Sequence, residues 1–265
     1  MQKNNISGMT ATELKDFLDE KASHYNNPAF IESDPVQIPH LFTIKEDIEI
    51  SAFLAATVAW GNRKSVIRSA TRMMELMGNS PYDFVMSHKE KDLDRMDGFV
   101  HRTFNAADLR SFIVGLQHIY KNHGGMEQVF VLNQAGGYLH QSITEFKKLF
   151  FEIDHLPRSR KHIADPATNS AAKRIHLFLR WMARKDRRGV DLGIWKSVSP
   201  AILSCPLDVH SGNIARSLGL ITRKQNDGRA LAELDAKLRD FDPLDPVKYD
   251  YALFGIGAFE KSILP

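Results

Sequence analysis

Apolar side chains recur at helical spacing along most of the chain, and no stretch alternates apolar and polar residues between hairpin turns. In ADLRSFIVGLQHIY the apolar positions Leu109, Phe112, Ile113, Leu116, Ile119 and Tyr120 form the stripe of an amphipathic helix. Ile175, Phe178, Leu179 and Met182 repeat it in KRIHLFLRWMAR, as do Leu231, Leu234 and Leu238 behind the turn signal Asp227-Gly228. The nearly continuous apolar segment IEISAFLAATVAW reads as a buried helix with Asp47 as its N-cap. Asn79-Ser80-Pro81 and His123-Gly124-Gly125 read as helix ends. The expectation is an all-α fold.

The chain of 265 residues is long enough for one helical domain over 1–265, or for two lobes of about 45–155 and of 1–44 with 156–265. HLPRSRKHIADPATNS (155–170), with two prolines and little apolar content, is the expected surface loop between lobes, and RKDRRGVDLGIWKSVSP (184–200) is a second irregular stretch. Cys205 is the single cysteine, so the sequence offers neither an internal disulfide nor a four-cysteine zinc or iron–sulfur site. With no apolar leader and no run long enough to span a bilayer, the expectation is a cytoplasmic, nucleoid-associated protein without membrane contact. No heptad array demands a partner, so a monomer is expected. The formal net charge of +3 is compatible with nucleic acid without requiring it.

Two residues carry the candidate chemistry. Asp208, after Pro206, falls at the N-cap of a helix through Ile214 and Leu218. It can be a helix cap alone, or an ionised carboxylate able to stabilise a cationic transition state or take a proton. Lys173 opens the KRIHLFLRWMAR helix, where the dipole disfavours its charge; it reads either as a solvated surface lysine or as an amine for Schiff-base chemistry. Trp60-Gly61-Asn62-Arg63 reads equally as a helix C-cap with a core tryptophan or as a loop that probes a duplex. Basic residues cluster at Arg158–His162, Arg184–Arg188 and Arg223-Lys224, as solvated loops or phosphate contacts. The eleven histidines contain no H-x-x-x-H pair, and Asp208-x-His210 alone is a weak metal signal, so no metal is expected.

In order along the chain, these segments resemble the helix-hairpin-helix DNA glycosylase superfamily, which includes endonuclease III and the 8-oxoguanine glycosylases, and within it a bacterial branch. Residues 48–78 resemble the early helix, the polar loop opposite the flipped base and the next helix; Phe104 to Tyr120 resembles the following core helix. SAAKRIHLFLRWM resembles the helix after the hairpin, which opens with the catalytic lysine of bifunctional members. PLDVHSGNIARSLGL resembles the signature carrying the catalytic aspartate, and PVKYDYALFGIG the last core helix. The hairpin position reads Pro166-Ala-Thr-Asn-Ser-Ala-Ala172 without the usual glycines, and thirty-five residues separate Lys173 from Asp208, nearly double the usual interval. The archaeal 8-oxoguanine glycosylases resemble this chain in that long interval, and the missing four-cysteine cluster leans the same way.

The resemblance implies two helical lobes flanking a cleft, duplex DNA as partner and no cofactor. It implies a base-excision repair glycosylase acting on an oxidised purine, with AP lyase activity where Lys173 is the nucleophile and Asp208 its acid–base partner. DNA contacts would come from Trp60, Gly61, Asn62 and Arg63, from Asn169, Ser170 and Arg174 at the hairpin, and from His210, Gly212, Asn213 and Arg216 on the helix after Asp208. The glycine-free hairpin leaves open a nucleic-acid-binding protein that keeps the fold without the reaction.

Overall fold

The computed structural model describes residues 9–134 and 137–260. Helices account for nearly all its regular structure: α1 (Ala11–Tyr25), α2 (Ala29–Glu32), α3 (Lys45–Thr57), α4 (Arg63–Leu76), α5 (Pro81–Ser87), then α6 (Ala106–Asn122), α7 (Met126–Leu132), α8 (His140–Phe150), α9 (Lys173–Ala183), α10 (Val209–Ser217), α11 (Gly228–Phe241) and α12 (Tyr249–Phe259). Between α5 and α6 a two-residue hairpin pairs β1 (Val100–His101) with β2 (Phe104–Asn105). Among the described residues no helix is long and apolar enough to cross a membrane.

The interior falls into two apolar clusters. The larger gathers α3 to α9 with Val190, Trp195, Val198 and Leu203, around the rings of Phe53, Phe112, Phe146, Phe150 and Phe178. The smaller gathers Leu18 and Ala22 of α1, Cys205, Leu207 and the inward faces of α10, α11 and α12. α9 and the segment after it therefore pack with the larger cluster, although both lie beyond the expected lobe boundary at 155. α12 joins the two, with Tyr251 in one and Tyr249, Ala252 and Leu253 in the other. α1 lies along α12, where Gly255 gives room: a Cβ there would stand 2.2 Å from the Tyr25 ring.

Several local expectations need correction. α3 begins at Lys45 after Ile44, so Asp47 lies inside its first turn; its carboxylate instead accepts from the Tyr82 N–H at 2.8 Å, satisfying the N-terminus of α5. The 155–170 stretch is not simply a surface loop. Two 3₁₀ turns, Pro157–His162 and Pro166–Thr168, bury Ser159, His162 and Ile163, and Ser159 Oγ donates to Asp108 at 2.7 Å. The 184–200 segment is irregular but packed, because Leu192 and Trp195 return N–H bonds to the Trp181 and Met182 carbonyls at the C-terminal end of α9.

Candidate active site

Asp208 is the N-cap of α10 and does two jobs with its two oxygens. Oδ1 accepts from the Ser211 N–H at 2.9 Å, and Ser211 Oγ accepts from the Asp208 N–H at 2.9 Å, a reciprocal capping box. Oδ2 faces Lys173, whose Nζ is 3.4 Å away. The Lys173 ammonium also donates to the Ala59 carbonyl at 3.3 Å. Side-chain exposures of 30% for Lys173 and 17% for Asp208 leave the pair reachable from solvent. The pair stands on the seam between the clusters: Ala172, just before Lys173, belongs to the larger, and Leu207, just before Asp208, to the smaller.

The approach to Lys173 is built from left-handed backbone. Asn169 (φ 59) and Ala172 (φ 42) both adopt it, in the turn that leads into α9. The Asn169 carbonyl accepts from the Gly228 N–H at 2.9 Å, and its amide donates to Asp227 at 3.2 Å, which packs this turn on the start of α11. Ser170 Oγ accepts from the Ala172 N–H at 3.1 Å, and no side chain caps the start of α9.

The Trp60–Arg63 loop sits beside the lysine. Helix α3 ends before it, so Gly61 (φ 95) is a loop glycine rather than a helix C-cap, and Asn62 caps α4 through the Ser65 N–H at 3.2 Å. Trp60 is half-buried, with the Arg174 guanidinium 4.7 Å above its ring and the His162 ring stacked at 6.1 Å. The ring packs partly buried against the larger cluster, and Gly61 and Asn62 are the exposed part of the loop. Arg63 lies over Phe254 and Phe259 of α12.

Other nominated residues are committed elsewhere. Arg174 donates to the Thr57 carbonyl at 2.6 Å, and burial lowers its pKa to about 10, leaving it charged at neutral pH. Arg216 clasps the following loop through the Arg223 carbonyl at 2.8 Å and Asn226 at 2.5 Å. Gly212 N–H bonds the Asp208 carbonyl within α10, and a Cβ at Gly212 would meet the Asn226 amide at 2.5 Å. Its N–H is thus spent inside the helix, while His210 and Asn213 remain exposed on the same helix. Among the basic clusters, Arg184 is buried on Asp191 and Asp245, Arg223 is paired with Asp227, and Arg158 lies 3.3 Å from Asp108.

Behind the pair lies a layer of buried charge that sequence reasoning missed. Arg180 meets Asp191 at 3.1 Å and also Asp250, and Arg184 extends the network to Asp245 at 2.9 Å. Burial raises the Asp250 carboxyl to about pKa 6 against the pull of Arg180, with Asp208 adding to the rise and Lys173 opposing it. Asp34 is likewise raised by burial, opposed by the Val36 N–H and by Arg180, Arg63 and Lys173. The signal for Asp250 was present: it is the lone acid of the otherwise apolar helix YDYALFGIGAF. A groove of about 480 Å³ between Arg68, Arg72, Glu75 and Val100 shares no residue with the Lys173–Asp208 pair.

A family match spans residues 34–259. The chain belongs to the family described as Protein of unknown function (DUF2400). The DUF2400 region starts at Asp34 and ends at Phe259, so it contains Lys173, Asp208, the Trp60 loop and the buried carboxylates, while α1 precedes it. No curated protein and no solved structure matches the chain.

Proposed function

We propose that the chain is a DNA glycosylase with lyase activity, acting on an oxidised purine in duplex DNA, with Lys173 as nucleophile and Asp208 as its proton acceptor. The observation that carries this reading is the 3.4 Å approach of Lys173 Nζ to Asp208 Oδ2, made at the starts of two helices thirty-five residues apart and open to solvent. A geometry within reach of proton transfer is what a nucleophile and its base require. The uncapped start of α9 offers backbone N–H groups suited to a phosphate, and the left-handed residues Asn169 and Ala172 supply a turn there without glycine.

In this reaction a duplex nucleotide is turned out of the stack toward the seam between the two apolar clusters. Asp208 removes a proton from the Lys173 ammonium. The amine attacks C1′ while the C1′–N bond breaks, its electron pair leaving with the base, which takes up a proton. Opening of the sugar ring, with protonation of its oxygen, gives an iminium between Lys173 and C1′. Loss of a C2′ proton then expels the 3′-phosphate and cuts the strand. The proton that Asp208 took passes to the departing base, which returns the carboxylate to its charged form to offset the positive charge that develops on the sugar.

The test is base release from duplexes carrying 8-oxoguanine. Wild type is expected to release the base, and Asp208→Asn to do so at least about 100-fold more slowly. Equal rates for the two would remove Asp208 from the chemistry. A second reading, a binding protein without the reaction, is favoured by the hairpin's bonds to Asp227 and Gly228, which occupy Asn169. It expects salt-dependent duplex binding with no base released from any lesion.

A further inference from the structure

A second cluster lies apart from the Lys173–Asp208 pair, where α6 and α8 both end. His118 lies one turn before the end of α6, His123 is its C-cap, and Glu152 follows the C-cap of α8. His118 Nε2 and His123 Nε2 are 3.2 Å apart, and Glu152 Oε2 is 3.5 Å from the first and 3.9 Å from the second. Four ligands around a tetrahedral zinc ion, with metal–ligand distances of about 2.0–2.1 Å, stand about 3.3–3.4 Å from one another. Two of the separations lie close to that value, and the third, 3.9 Å, reaches it with a shift of about half an ångström in the exposed Glu152 carboxylate. We propose that His118, His123 and Glu152 form a site for a divalent zinc-type cation, with a fourth position open to water.

Three features of the surroundings favour a cation there. The carbonyl ends of α6 and α8 converge on the cluster, and helix C-termini carry partial negative charge. The Asn122 carboxamide nitrogen lies 2.8 Å from His118 Nδ1; a half-turn of the carboxamide brings its oxygen to the ring instead, where it accepts the Nδ1 proton and leaves the Nε2 lone pair for the metal. Gly115 fixes the approach of the two helices, since a Cβ there would stand 2.7 Å from the Phe150 ring and 2.9 Å from the Phe150 carbonyl. His118 follows Gly115 by one turn on α6, and Glu152 follows Phe150 by two residues. Zinc would then clasp the ends of the two helices over the buried Phe150.

The test is titration of the full chain, free of any histidine tag, with zinc chloride, followed by calorimetry and by thermal unfolding with and without EDTA. One equivalent is expected to bind, with a rise in midpoint of about 5 °C at a hundredfold excess over Kd. Cobalt(II) in its place is expected to give the visible absorption of a tetrahedral site. His118→Gln/His123→Gln and the exposed Glu152→Gln are each expected to lose the equivalent and the cobalt bands, with an unfolding midpoint in EDTA close to wild type. Wild type without a bound equivalent, or variants that bind it as wild type does, would overturn the assignment.

Discussion

His176 sits on α9 with 2% of its surface exposed, its Nε2 without a hydrogen-bond partner, and the His140 ring 5.6 Å away. Burial, aided by His140, pushes its pKa down to about 3. The folded chain therefore holds the neutral ring while the unfolded chain protonates it below about pH 6.5. The stability this contributes is complete above pH 6.5 and is lost as pH falls toward 3, by about 2 kcal/mol at pH 5. Urea unfolding from pH 7 to 5 is expected to show this loss, and His176→Phe to flatten it; an unchanged slope in the variant would place the acid sensitivity elsewhere. A second residue-scale expectation concerns Gly212. The Asn226 amide that a Cβ would strike is held by Arg216 and donates to the Asp208 carbonyl at 2.8 Å, so it cannot swing aside freely. Gly212→Ala is expected to cost about 1–3 kcal/mol in urea unfolding. The two oxygens of Asp208 show how far a sequence can be read at this scale. Pro206 before the aspartate and the helix through Ile214 and Leu218 after it marked the cap, but nothing local shows that the second oxygen faces a lysine thirty-five residues earlier.

At the scale of elements, α9 joins the site to the interior. Its first residue is Lys173, its inward face carries Ile175, Phe178 and Met182, and its buried Arg180 binds Asp191 and Asp250. Removing the guanidinium alone would leave both carboxylates buried without their shared partner, the costly way to break such a network. Arg180→Met is expected to lower stability by about 3–5 kcal/mol, measured as a shift of the urea midpoint, and a loss below about 1 kcal/mol would contradict the network's role. The helical stripes were legible because each is decided by neighbours three and four residues away. Arg184 was not, since a run of cations looks solvated until Asp245, distant in sequence, folds over it. The His118–His123 pair escaped for a related reason: the two are five residues apart, and only the end of α6 turns His123 back toward His118.

For the whole molecule, an all-α chain was readable from periodicity, whereas the place where its two apolar clusters meet was not. Composition marked 155–170 as a boundary because it is basic and holds prolines, yet Ile163 and His162 pack into the larger cluster and α9 follows them. The seam instead falls between Ala172 and Leu207, on either side of Lys173 and Asp208, where two cores end rather than where polar residues gather. In the proposed reaction the amine at this seam becomes covalently bound to DNA. That claim is tested most directly by borohydride reduction of the full chain mixed with duplexes bearing 8-oxoguanine or an abasic site, with wild type, Lys173→Gln and Asp208→Asn compared. A protein–DNA adduct with wild type that disappears in Lys173→Gln and is strongly reduced in Asp208→Asn is the expected result. An adduct that persists in Lys173→Gln, or no adduct from wild type on either duplex, would contradict the claim.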